Sequence, residues 1–220
     1  MRIIEVIKDF LKIFIMIKGK RNTNYHKRVK KFSQNINQIA EKNIISKILK
    51  KQNVNRILDF GCNDGLLNKY LNNNINYWGV DNNKKIKKEI KLYSKNIRII
   101  KKKIPFKNNF FDCVVLSHVI AHIENPYKLI RNLEKKLKIR GIFIIVSPNK
   151  SYKFFYSFFN LFNNYNPDTT IYKYYSSLEI KNKFLKDYEI LDTLNYSIKN
   201  GKINSSLINS RFLIVLKKIK

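Results

Sequence analysis

The chain has 220 residues, with 45 Lys and Arg against 15 Asp and Glu and a formal charge of +30. Its length and 44% hydrophobic content support one domain with a real core. The two cysteines, Cys62 and Cys113, have no CxxC spacing and no neighbouring ligand set, which argues for a reduced, intracellular protein and against a disulfide framework or a structural zinc. Such a charge should draw polyanions: RNA, anionic lipid or phosphorylated metabolites. A codon bias toward A and T gives the same lysine enrichment, because Asn and Ile rise with it.

The first stretch, MRIIEVIKDFLKIFIMIKGK, carries Glu5, Lys8, Asp9 and Lys12 among its apolar residues, so it reads as neither a signal peptide nor a membrane span. Ile3, Ile7, Phe10, Phe14 and Ile17 recur at helical spacing and predict an amphipathic helix. A second helical pattern runs from Tyr25 to Lys51, with Val29, Phe32, Ile36, Ile39, Ile44 and Ile48 on its apolar face. Residues 1–51 are therefore expected to form a helical extension or cap, and residues 52–220 the main domain.

After Val54 the texture changes. Apolar runs at 54–60, 76–81, 97–100, 111–117 and 141–147 predict strands, with helices near 65–73, 84–94 and 126–137 between most of them. Strands alternating with helices imply a parallel sheet covered on both faces. A further helix near 176–186 precedes strands at 188–194 and 211–216, and the polar stretch joining these two has no helical pattern, so they are expected to pair antiparallel at the sheet edge. The predicted architecture is α/β, Rossmann-like and doubly wound, with a mostly parallel seven-stranded sheet and an antiparallel last strand.

Only six glycines occur in the chain, and two stand within RILDFGCNDG at the end of the first strand. Gly79 lies two residues before Asp81, which closes the second strand, and Gly141 precedes the fifth. In open parallel sheets ligands bind beyond the carboxyl ends of the strands, where a glycine-rich turn brings backbone and a helix start close to them.

The series Asp59, Phe60, Gly61, Cys62, Asn63, Asp64, Gly65 resembles the first motif of the class I S-adenosylmethionine-dependent methyltransferases, an acid, any residue, then GCGxG. It departs at Asn63, the non-glycine residue type that best tolerates left-handed backbone. Asp81 is similar to the family's acid at the end of the second strand, which accepts hydrogen bonds from both ribose hydroxyls. Residues 104–149 resemble the family's LPF, FD, SHVLEH, LKPGG and TPN series, so the likeness covers about 54–149 in order, within the small-molecule branch. It implies an enzyme that uses S-adenosyl-L-methionine, with cofactor contacts at Asp59, Gly61, Cys62, Asn63, Gly65, Asp81, Asn82, Lys102 and Ser117. Ordinary turn capping would also explain Asp59, and Asp64 reads as a helix cap. Where family members have an acid for the adenine amino group, RIIKKKIPF offers lysines, so backbone near Lys102 and Lys103 would have to serve.

The acceptor half is less marked. His118 and His122 are four apart, a spacing that can place two imidazoles on one helical face, as metal sites do. The family has a Glu where Ala121 stands, so no metal is expected, and each His is a candidate general base or orienting group. The aromatic stretch 151–180 reads either as an apolar cover over a lipid, polyprenyl or aromatic acceptor or as a helix packed on the sheet. The expected acceptor is a small molecule, lipid-linked or sugar-like. LSHV stands where base-modifying enzymes have NPPY, which makes nucleic acid the weaker partner. The alternatives are an RNA methyltransferase and a membrane-surface protein with a noncatalytic core. The expected location is cytoplasmic, with the amphipathic first helix and the basic run after it suited to peripheral contact with anionic membrane.

Overall fold

The structure is a computed structural model that describes residues 36–81, 97–99, 104, 106–153, 170–205 and 209–220. The expected helices at 1–18 and 84–94, the aromatic residues 154–169, and Asn82, Lys102 and Lys103 lie outside the described residues.

Helix α1 (Ile36–Lys51) enters β1 (Arg56–Phe60) through a turn in which Asn53 takes positive φ. Then come β2 (Asn76–Asp81), β3 (Ile97–Ile99) and β4 (Phe111–Ser117), followed by α2 (Pro126–Lys136) and β5 (Leu137–Pro148). The chain closes with α3 (Ser177–Phe184), β6 (Tyr188–Lys199), β7 (Lys202–Asn204) and β8 (Arg211–Lys218). The seven expected strands form one sheet in the order β3-β2-β1-β4-β5-β8-β6, and the short β7 adds an eighth at the β6 edge. Neighbours from β3 to β5 are parallel, whereas β8 runs antiparallel to both β5 and β6. The predicted sheet is thus observed, with a hairpin β6–β7 where a featureless polar stretch was read.

Side chains alternate between two cores. Leu58, Val114, Phe143 and Ile214 face α2 and α3, while Ile57, Cys113, Ile144 and Val215 face α1. Local chemistry fixes the helix ends. Asn125 accepts from the Lys128 N–H ahead of Pro126 in the first turn of α2, and Ser176 with Glu179 forms a reciprocal capping box on α3.

Three expectations need correction. The helix expected at 65–73 is a 3₁₀ segment, Leu66–Tyr70, because the tight turn through Gly65 is followed at once by the polar run to β2. β5 begins four residues before Gly141, but its register against β4 breaks between the Phe111 and Cys113 pairings, and Arg140 there is left-handed. The apolar face of α1 is also shifted. Glu41, Ile45 and Leu49 are buried, Ile44 and Ile48 flank them, and Ile36 is exposed to solvent.

The start of α1 is held from the far end of the chain. In the β6–β7 turn the Gly201 N–H donates to Asn37 Oδ1 at 2.8 Å, and a Cβ built on Gly201 would lie 2.7 Å from Ile36 Cγ1.

Candidate active site

The carboxyl edge of the sheet gathers most of the described candidates. β1 ends in a loop with Gly61 at φ 78°, Asn63 at 51° and Gly65 at 79°, so Asn63 does adopt the left-handed conformation that its place in the motif requires. The Gly61 and Cys62 N–H groups donate to Val80 O at 2.7 and 3.2 Å, tying this loop to β2. The Asn63 N–H donates to Asp81 Oδ2 at 2.9 Å, which anchors the acid at the end of β2 against the loop. At Gly61 a Cβ would lie 2.3 Å from Val119 Cγ2, so the turn is packed against the exit of β4 and has no room for a side chain.

Asp59 and Cys62 lie deeper. Asp59 is buried and accepts from the Tyr77 hydroxyl at 2.8 Å. Burial pushes its carboxyl above the usual range; the charge of Lys42 and the Tyr77 hydrogen bond oppose this, and Asp81 and Asp64 add to it. Burial, with Asp59 and Asp81 nearby, pushes the Cys62 thiol far up, so this cysteine is no thiolate nucleophile. Asp64 accepts from the Leu66 N–H at 3.2 Å, a contact within the turn and not the helix cap expected of it, since Gly65 is the residue that opens the 3₁₀ segment.

The two histidines part company. His118 directly follows β4 in a left-handed conformation, φ 58°, and only a single 3₁₀ turn, Ile120–His122, comes after it. Without an α-helix, four-residue spacing puts the imidazoles on no common face. His122 Nδ1 meets Thr170 Oγ1 at 2.9 Å and Thr170 O at 3.2 Å, which ties the turn to the chain entering α3. His118 Nε2 instead meets Glu41 of α1, at 2.9 Å from Oε2 and 3.1 Å from Oε1.

Glu41 was not among the sequence candidates. It is 3% exposed and surrounded by donors: the Ser117 hydroxyl at 3.1 Å, the Tyr196 hydroxyl at 3.0 Å, His118, and Arg211 Nε at 3.7 Å. Burial pushes this carboxyl upward, but the charge and hydrogen bond of His118 with the charges of Lys42 and Arg211 outweigh it and hold Glu41 well below the usual carboxylate range. Lys42, the next residue, donates to Ser117 Oγ at 2.8 Å, so α1 delivers an acid and a cation to the exit of β4. The available signal was position: Glu41 stands four and eight residues before Ile45 and Leu49, on the helix's buried stripe.

Away from this edge, Asp112 accepts from the Asn55 and Arg56 N–H groups and pairs with Lys138, a structural role at the sheet's other end.

The structure resembles solved methyltransferases at low sequence identity. A S-adenosylmethionine-dependent methyltransferase from Clostridium acetobutylicum aligns with a TM-score of 0.62 at 17% identity, over 88% of this chain and 98% of that one. A putative sarcosine dimethylglycine methyltransferase from Galdieria sulphuraria aligns with a TM-score of 0.61 at 13% identity, over 82% and 86%. A SAM dependent methyltransferase from Archaeoglobus fulgidus gives 0.55 at 20% identity, over 80% and 94%. No curated protein matches the sequence. The Methyltransferase domain family, however, matches residues 25–188, from before α1 to the start of β6, and with that match the chain belongs to the S-adenosylmethionine-dependent methyltransferases and is an enzyme of that class.

Proposed function

We propose that this enzyme methylates a small molecule, free, sugar-like or lipid-linked, at the mouth formed by α1 and the exit of β4. The observation that carries the reading is the meeting of Lys42, Ser117, Glu41 and His118 beside the Gly61 loop, where a compact acceptor would find polar groups of both signs. The residues present suit the cofactor. Asp81 has the chemistry to accept from ribose hydroxyls, and Lys42 offers a cation to a carboxylate. When bound, S-adenosylmethionine supplies an electrophilic methyl group on a sulfonium. The chain's own part is to hold the acceptor in line, keep water out and take up a proton.

Residues 1–51 serve in this reading as the cap over the site, which α1 already supports by reaching Ser117 and His118. The first eighteen residues give a second reading its ground: an apolar helical face followed by Lys18–Arg21 suits the surface of an anionic membrane. Among the described residues no helix is long and apolar enough to cross a membrane.

Isothermal titration with S-adenosylmethionine and S-adenosylhomocysteine, followed by transfer of labelled methyl to sugar, phenol and polyprenyl-linked acceptors with total RNA as the competitor class, tests the proposal. Labelling of RNA alone would replace it. Cosedimentation with anionic and neutral vesicles, for the full chain and a chain lacking residues 1–18, tests the membrane contact: equal sedimentation of the two removes it.

A further inference from the structure

A carboxylate on the buried stripe of a helix carries a large desolvation cost unless donors surround it. Glu41 has them from Ser117 at the end of β4, His118 just after it and Tyr196 of β6, with the charge of Arg211 from β8 beside them. The Ser117 and Tyr196 hydroxyls donate to this carboxylate and Lys42 and Arg211 face it whether or not His118 carries a charge, so the carboxylate accepts throughout and the hydrogen shared with His118 sits on Nε2. In a neutral imidazole that assignment leaves Nδ1 as a bare lone pair.

Two further observations turn this tautomer toward chemistry. Nδ1 of His118 makes no hydrogen bond to any described residue, and the side chain is 31% exposed although its partner is buried. The backbone there is both strained and fixed. At φ 58°, His118 is in a conformation that non-glycine residues seldom adopt, and its N–H donates to Val146 O at 2.8 Å. Strain of this kind collects at functional sites, where the surroundings hold a side chain at one bearing.

We propose that Glu41 is a positioning residue which fixes His118 with Nε2 protonated and Nδ1 presented as the proton acceptor for the molecule being methylated. The inference rests on the methyl-transfer reading and narrows it to acceptors that keep their proton at neutral pH, above all an alcohol or phenol hydroxyl. As the hydroxyl oxygen forms its bond to the methyl carbon, the sulfur–carbon bond breaks with its electron pair left on sulfur, and the O–H bond gives its proton to Nδ1. The imidazolium so formed faces a carboxylate already in place, and Lys42 and Arg211 are the other charged groups turned toward that carboxylate.

The chain has three histidines, His26, His118 and His122, so a sample labelled with ¹⁵N-histidine is simple to assign, with His118→Gln identifying the signal. In mildly alkaline buffer, two-bond ¹H–¹⁵N spectra of the wild-type protein are expected to show His118 as the Nε2–H tautomer. Glu41→Gln should lose that bias and give a mixture. An Nδ1–H tautomer in wild type overturns the proposal without any variant, as does an unchanged tautomer in folded Glu41→Gln. Diethyl pyrocarbonate supplies a second readout. It should acylate His118 in wild type and react several-fold more slowly in Glu41→Gln, and an unreactive His118 in wild type would also overturn the proposal. S-adenosylhomocysteine titration runs alongside: its failure to bind wild type defeats the methyl-transfer reading, whereas binding with the wrong tautomer defeats only the dyad.

Discussion

Glu41 and Asp59 are buried to nearly the same depth, 3% and 2% exposed, close to one edge of one sheet, and their carboxyls are shifted in opposite directions. Burial is the largest influence on both and pushes both upward. Around Glu41, His118, Lys42 and Arg211 together reverse it. Around Asp59 only Lys42 and the Tyr77 hydroxyl oppose it, and Asp81 and Asp64 repel. Since Lys42 faces both acids, the difference lies in His118 and Arg211 on one side and the two neighbouring acids on the other. Depth sets the penalty; the partners decide the direction of the shift.

Amide substitutions are the most direct way to break this contrast. Glu41→Gln should cost roughly 3 kcal/mol, the low end for unpairing a buried ion because His118 and Arg211 are partly exposed, while Asp59→Asn keeps an acceptor for Tyr77 and should change stability by less than about 1 kcal/mol. Urea unfolding of both at neutral pH checks this, and equal losses would erase the distinction.

The pH dependence has opposite signs. Glu41 has a folded value below its unfolded one, so its contribution is complete above the ordinary Glu range and is lost as pH falls through that range toward the folded value. Asp59 has a folded value above its unfolded one, so its contribution is present at low pH and is lost as pH rises through the folded value. The stability difference between wild type and Glu41→Gln should therefore shrink on acidification, and that between wild type and Asp59→Asn should move against wild type as pH rises.

Gly61→Ala probes the loop after Asp59. Positive φ and the contact with Val119 together should cost roughly 2 kcal/mol, part of which Val119→Ala should return because it removes the clash but not the backbone strain. Full recovery in thermal unfolding of the double variant would mean that φ costs nothing here.

Asp81→Asn sharpens the comparison with the smallest effect on stability. It should weaken S-adenosylhomocysteine binding about tenfold, near 1.4 kcal/mol, and by removing a repelling charge it should also lessen the upward push on Asp59. Unchanged affinity in calorimetry would remove Asp81 from the cofactor site.

The strands were legible because burial on both faces writes continuous apolar runs: β2 and β4 match the sequence reading residue for residue. The loop after β1 was legible because Gly61, Asn63 and Gly65 are the residue types that positive φ selects. α1 was legible as a helix but not in its facing. Ile36, Ile39, Ile44 and Ile48 look like the core stripe until packing brings Ile45 and Leu49 inward and Glu41 with them. Nothing in the local sequence marks Glu41 as paired, since its hydrogen-bond partners lie 76 to 155 residues away. The His118 and His122 spacing misled because a helical period has meaning only inside a helix, and the left-handed His118 prevents one from starting there.

The tie between the β6–β7 turn and the start of α1 has a consequence for synthesis on the ribosome. Asn37 is among the first described residues to emerge and Gly201 among the last, 164 positions apart, and Tyr196 must reach Glu41 across 155. A nascent chain can therefore complete its glycine loop and pair β1 with β2 and β4 long before α1 can be secured from above. Until β6 and β8 arrive, Glu41 lacks Tyr196 and Arg211 among its partners. Closing so long a loop is slow relative to local contacts, so the surroundings of Glu41 are completed after the glycine loop.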